Sequence, residues 1–428
     1  MESILIKDID IYLDGALRQG DVLIVDGKIQ AVDARLNYSA ELVINEPGLT
    51  LLPGLIDAHV HFREPGLTHK ETFKTGSMAA AAGGVTTIMD MPNTAPSTTT
   101  RIELAEKQRI ASETSLVNCL FFIGATANNI DECREATHIA GIKLFLGSST
   151  GDLLLEEIKF IEPFFTTPHL IAVHAENESV IKANKSRMPA EWSIEDHENI
   201  RSVESSLQAI KFIIEIAKKH HHPMHILHLS SEAEVHYLSQ HKIPGLISAE
   251  VTPQHLTFHS PDVYQLYGTL AKVNPPIRKE SDRKALIQGL KSGIIDTIGS
   301  DHAPHTLAEK MVPAHLAPSG MPMIEHTLPL LLDQLHQGIL TLPEIVRATS
   351  QNPARIFQLT SKAHIKPGFD ADLVLVDLNA KRRITNEKLY TKAKWSILND
   401  RACKGCPIIT IVNGQMVFRE GDFFYPSI

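Results

Sequence analysis

The chain has 428 residues, of which 43% are hydrophobic and 21% charged, a balance that suits a large soluble barrel with an appended layer. A formal net charge of -9 with no basic stretch excludes a nucleic-acid binder. No apolar run approaches the length of a membrane span, and four cysteines are too few for a disulfide framework.

The first residues, Met-Glu-Ser-Ile-Leu-Ile-Lys-Asp, lack the basic-then-apolar pattern of a signal peptide, so the cytoplasm is the expected compartment. The first fifty residues read as strands, with a hairpin between Asp21 and Val32 turning at Asp26-Gly27. Next comes the short apolar run Leu51 to Ile56, which leads into Asp57-Ala58-His59-Val60-His61-Phe62-Arg63-Glu64-Pro65-Gly66. Side chains alternate across a strand, so His59 and His61 point to one side, where both imidazoles can bind one metal ion. Arg63 follows as a permanent cation able to grip a carboxylate with two parallel hydrogen bonds. Asp57 is expected to orient the ligand pair.

Apolar runs then alternate with helical stretches. Val85 to Met91 is followed by a helix from about Thr99. Leu116 to Ile123, Ile142 to Leu146, Leu170 to His174, Met224 to Leu229, Ile247 to Val251 and Ile294 to Ser300 are further strands, and Ser202 to Lys219 is a helix between two of them. About eight such units predict an α/β fold, a (β/α)8 TIM-type barrel with the site at the ends of its strands.

The polar residues at those ends are ligand types. His174 closes Leu-Ile-Ala-Val-His, His228 ends His-Ile-Leu-His, and Asp301 opens Asp-His-Ala-Pro-His. Lys143 lies within an apolar strand, where a lysine is costly unless paired, modified or neutral. Four histidines and a carboxylate suit zinc or a similar divalent ion. They exceed what one catalytic zinc takes, so two metals are expected, with Lys143 as the bridge once CO2 converts its neutral amine to a carbamate. Other histidines read as surface groups: His197, His236, His241, His336 and a solvated helix end at His220, His221 and His222. His255 is expected at the pocket or behind it. Thr306 to Met321, rich in Pro, Gly and Ala, reads either as a cover over the substrate or as a surface loop.

The C-terminal end returns to strands: Ala371 to Asp377, Ile408 to Val412, and Gln415 to Phe418 after a turn at Asn413-Gly414. Cys403 and Cys406 read as reduced structural thiols in a loop before the second of these. Both chain ends together form a small β-sandwich, which gives a sandwich domain of 1–50 and 365–428 and a barrel of 51–364.

The motifs His61-Phe62-Arg63-Glu64-Pro65-Gly66, Asp90-Met91-Pro92-Asn93-Thr94, Asn274-Pro275-Pro276-Ile277-Arg278 and Asp301-His302-Ala303-Pro304-His305 resemble the amidohydrolase superfamily and, within it, the dihydroorotases. The resemblance runs from Pro53-Gly54-Leu55 to Lys366-Pro367-Gly368 and on to Val374. It implies two zinc ions per subunit. His59, His61 and Asp301 would hold the buried ion, His174 and His228 the second, and carboxylated Lys143 and a hydroxide would bridge them. It also implies that Asp301 carries the hydroxide's proton to the departing ring nitrogen in reversible hydrolysis of dihydroorotate to N-carbamoyl-aspartate, a step of pyrimidine synthesis. Arg63, Asn93 and His305 resemble the binders of the substrate carboxylate. Asn274 and the backbone near Pro322 resemble contacts to the ring amide. A homodimer and association with aspartate carbamoyltransferase are also implied.

Many bacterial members bridge the metals with an aspartate from a later loop. Here Lys143 is preferred, with Asp152 as the fallback ligand. The rivals are allantoinase and hydantoinase, whose substrates offer Arg63 no carboxylate, and an inactive homologue serving as an assembly partner, which would have lost metal ligands.

Overall fold

A computed structural model describes residues 3–148 and 153–425. Its centre is an eight-stranded parallel sheet in strict chain order. The strands are Leu55–Val60, Val85–Asp90, Asn118–Gly124, Gly141–Phe145, Ile171–His174, Met224–Ile226, Ile247–Val251 and Thr297–Ile298. Seven of the eight are buried along their whole length, because helices cover one face and packed side chains fill the other. The sheet closes on itself just past the last strand, where His61 N donates to His302 O at 2.8 Å. The expected (β/α)8 barrel is therefore observed.

Local signals explain the covering helices. Thr100 caps Arg101–Thr114 in a reciprocal capping box with Glu103. Val203–His220 lays Ile210, Ile213, Ile214 and Ala217 against the barrel and stops where His221 turns left-handed (φ 49°). Each buried aliphatic side chain of this kind stabilises the fold by about 1.5–3 kcal/mol.

Both chain ends build a second, nine-stranded sheet. Thr50–Pro53 is its hinge: it runs parallel to Ser3–Leu13 and antiparallel to Leu373–Val376 of the long strand Leu373–Arg383. Ile6, Ile11, Ile24, Leu51, Leu375 and Ile411 form its own core. The two anticipated hairpin turns are present. Asp26-Gly27 and Asn413-Gly414 both hold two consecutive residues at positive φ (48° and 78°; 49° and 77°), the backbone that matches strand twist in a two-residue turn.

Three expectations fail. Cys403 and Cys406 are not in a loop but inside the strand Ala402–Val412, buried and free, because pairing with Leu373–Arg383 continues past them. His197 is not on the surface: it is buried, stacked on Trp192, and donates from Nε2 to Val273 O at 2.9 Å. His222 is likewise buried, with Nε2 2.9 Å from Thr167 O, so only part of the His220 to His222 run is a solvated helix end. Asp152 lies outside the described residues. Among the described residues no helix is long and apolar enough to cross a membrane.

Candidate active site

The C-terminal ends of the barrel strands converge four imidazoles. Ring centroids lie 5.4 Å apart for His59 and His61, 5.3 Å for His59 and His228, and 4.8 Å for His174 and His228. Asp301 completes the near side: its Oδ1 is 3.3 Å from His59 Nε2 and 3.1 Å from His61 Nε2. Ligand atoms of His59, His61 and Asp301 lie within 4.8 Å of one another. His174 Nδ1 and His228 Nε2 face each other at 2.9 Å.

The outer nitrogens explain why these lone pairs point inward. His59 Nδ1 donates to Glu250 Oε1 at 2.7 Å, and His61 Nδ1 donates to Asn93 Oδ1 at 2.6 Å, which leaves Nε2 of both rings as acceptors. His174 Nε2 lies 3.1 Å from Glu176 Oε2, which leaves Nδ1 inward, and Glu176 is in turn held by Arg201 at 2.7 Å. Burial drives His61 down to about 3 against the pull of Asp301, and drives His174 down and His228 well down. Neutral imidazoles are what a metal requires. Burial alone would raise Asp301, but His59, His61 and Lys143 outweigh it and hold the carboxyl well below the usual range. The donor set therefore fits a divalent metal.

Lys143 is buried in the fourth strand, with Nζ 4.6 Å from the Phe145 ring centroid. Burial lowers it to about 7, opposed by Asp301 and Glu250, so part of its amine is neutral near neutral pH. Three residues of this region hold left-handed backbones without being glycine: Arg63 (φ 65°), His228 (φ 39°) and Asp301 (φ 46°). Strain of about 1–3 kcal/mol at each is retained because the surrounding structure fixes them.

Beside the histidines lies a small pocket lined by His61, Arg63, Asn93, Asn274, Asp301, Ala303, Ser319 and Gly320. Arg63 is buried, its Nε donates to Pro304 O at 3.1 Å, and its Nη1 has no hydrogen-bond partner. His305 stands behind it. Lys70 donates to its Nδ1 at 3.0 Å, so Nε2 carries the hydrogen and donates to Ser319 O at 3.1 Å. Arg63 Nη2, 3.3 Å from that Nε2, thus faces an N–H and not an acceptor. A buried guanidinium with donors to spare is costly unless an anion completes it.

Of the sequence-derived substrate residues, Arg63, Asn93 and Asn274 line this pocket, while His305 supports it from behind. Pro322 does not line it; the wall there is Ser319 and Gly320. His255 is buried away from the pocket, with Nε2 3.2 Å from the carbonyls of Pro275 and Pro276. Asp57 orients backbone and not a ring: Oδ1 accepts from His59 N at 3.2 Å and Ser300 N at 3.0 Å.

Sequence reasoning missed Glu250, Glu176 and Arg201. Glu250 had the same signal that selected Lys143, an ionisable residue inside the apolar strand Ile247–Val251. Gly299 makes room for it, since a Cβ there would lie 2.2 Å from Glu250 Oε2.

A sequence profile of the amidohydrolase family matches residues 50–417. A dihydroorotase of Methanosarcina acetivorans is 35% identical over 438 aligned positions, covering 98% of this chain and 93% of that protein. A dihydroorotase of Halobacterium salinarum is 37% identical, covering 96% and 94%. Among solved structures, an L-hydantoinase (dihydropyrimidinase) from Arthrobacter aurescens superposes with a TM-score of 0.94 at 27% identity, covering 99% of this chain and 98% of that one.

Proposed function

The chain belongs to the amidohydrolase family, and from that premise we propose that it is a dihydroorotase, catalysing reversible hydrolysis of the cyclic amide of dihydroorotate to N-carbamoyl-aspartate. The observation that carries the choice of substrate is Arg63, a buried cation with Nη1 unpartnered at a pocket beside the histidine cluster. Dihydroorotate bears a carboxylate that answers this donor; hydantoin and allantoin bear none. The fold likeness to a hydantoinase supports the scaffold, and Arg63 argues against that substrate.

His59, His61 and Asp301 would hold one divalent ion and His174 and His228 a second, with carboxylated Lys143 between them; zinc is our working assignment. When bound, such ions polarise the amide carbonyl and lower the pKa of the attacking water. Asp301, held ionised, accepts the proton of that water as the new C–O bond forms. It returns the proton to the ring nitrogen as the C–N bond breaks, so the atoms balance without a further reagent. Arg63 fixes the non-reacting carboxylate and thereby the position of the scissile amide relative to Asp301. Asn93 orients His61 and borders the same pocket.

The test is loss of dihydroorotate absorbance with metal-replete protein, with hydantoin and allantoin in parallel. Turnover of dihydroorotate in preference to both supports the reading. Turnover of hydantoin or allantoin alone overturns it, and a protein that binds no metal fits the inactive homologue. The expected homodimer and its association with aspartate carbamoyltransferase are checked by sedimentation, alone and with that enzyme.

A further inference from the structure

Two lysines next to the pocket are buried without a counter-ion. Lys310 ends the short helix Leu307–Lys310 and is fully buried, and its Nζ donates to three carbonyls: Lys272 O at 3.0 Å, Pro318 O at 3.0 Å and Gly320 O at 2.8 Å. Lys272 Nζ donates to Ala314 O at 2.7 Å and Ala317 O at 2.5 Å. Among the described residues neither forms an ion pair, and the charge that reaches Lys310 is the like charge of Lys272. A carboxylate in this place would satisfy an ammonium with one partner. Three carbonyls from separate turns instead bind those turns to one another.

The turns so joined are the outer wall of the pocket. Gly320 N donates back to Lys272 O at 2.9 Å, and Ala303 N donates to Met321 O at 3.1 Å. Ser319 O takes the Nε2 hydrogen of His305, and Ser319 Oγ bonds Asn274 Oδ1 at 2.9 Å. Gly320 is at φ 131°, and a Cβ there would lie 2.4 Å from Ala303 O, so the wall lies tight against the strand-end residues. Within the Thr306 to Met321 segment, residues 318–321 thus form the pocket wall, while Leu307, Met311 and Leu316 are exposed.

We infer that Lys310 is a positioning residue for substrate recognition: it fastens 318–320 to 272 and so sets the His305–Ser319–Asn274 side of the site against Arg63. This rests on the dihydroorotase reading. It predicts that Lys310 governs how well the carboxylated substrate binds, while the proton transfer at Asp301 stays intact.

The experiment is Lys310→Met, which keeps length and removes the donors, in metal-replete full-length protein. The expected result is a KM for dihydroorotate raised about tenfold with kcat within threefold of wild type. A merely structural role would lower kcat through the active fraction and leave KM unchanged, and that result overturns the inference. Hydrogen exchange on the wild-type protein supplies a readout that needs no variant: amides of Ala303 and Gly320 should exchange as slowly as the barrel strands. Fast exchange there overturns the inference even if Lys310→Met fails to fold. Failure of wild type to turn over dihydroorotate would instead count against the substrate reading, with the exchange result still deciding the role of Lys310.

Discussion

Glu250 Oε1 sits 2.7 Å from Nδ1 of His59, so a carboxylate on the seventh barrel strand sets the ring of a histidine on the first. Burial alone would raise this carboxyl, but His59 and His225 outweigh burial and lower it to about 2. The pair is fully enclosed, and its orientation does not depend on solvent.

Glu250→Gln keeps the shape and removes the charge that favours an Nδ1–H on His59. Metal affinity should fall about 10–100-fold, the usual effect of losing such a partner. Competition against a chelator measures it, and an unchanged affinity would count against the role of Glu250.

Arg63→Ala removes the buried donor at the pocket. A charge-assisted hydrogen bond contributes about 1.5–3 kcal/mol, so kcat/KM for dihydroorotate should drop roughly 10–150-fold, while metal content is unchanged. Equal loss of bound metal in the variant would show that Arg63 supports the cluster and not the substrate.

Gly299→Ala places a methyl 2.2 Å from Glu250 Oε2 and 3.0 Å from His59 Cβ. Neither neighbour can yield without moving the ligand pair. Overpacking of this kind costs about 1–3 kcal/mol, and both melting temperature and metal stoichiometry should fall. A variant with native stability and full metal would mean that Glu250 relaxes freely.

His197 carries a pH prediction. Burial, reinforced by Lys272, lowers it to about 3, against an unfolded value near 6.5. The unfolded chain therefore binds the proton first, so this contribution to stability is complete above pH 6.5 and is lost as pH falls towards 3. The slope attributable to one such group is at most about 1.4 kcal/mol per pH unit. Denaturant unfolding from pH 7 to 4.5 should show a shallower loss for His197→Asn than for wild type; parallel curves would falsify the assignment.

The barrel was legible because strand alternation puts His59 and His61 on one side, and because each later ligand type follows an apolar run. Lys143 stood out as a charge where none belongs. Glu250 escaped the same inspection because its partner is 191 residues away and the contact crosses the barrel interior, which no local pattern encodes. His197 was misjudged because it lies in short helical turns, Ile194–Asp196 and His197–Ile200, too brief to show a periodic face. Cys403 and Cys406 were misjudged because Lys404 and Gly405 break the apolar run, and only pairing with Lys381 to Arg383 makes that segment a strand. Lys310 is not singled out by its sequence context, since nothing nearby in the chain announces three carbonyl partners, one of them Lys272 O, 38 residues away.

The seam at His61 N and His302 O has a consequence for how the chain matures. His61, just past the first strand, and the aspartate it shares with His59 are 240 residues apart, and closure of the barrel is what brings them together. A nascent chain still on the ribosome owns His59 and His61 early but cannot assemble this ligand set until Asp301 has emerged. Metal capture by that set therefore reports completed synthesis of the barrel, and a truncated product ending before the last strand would leave two histidines without their carboxylate.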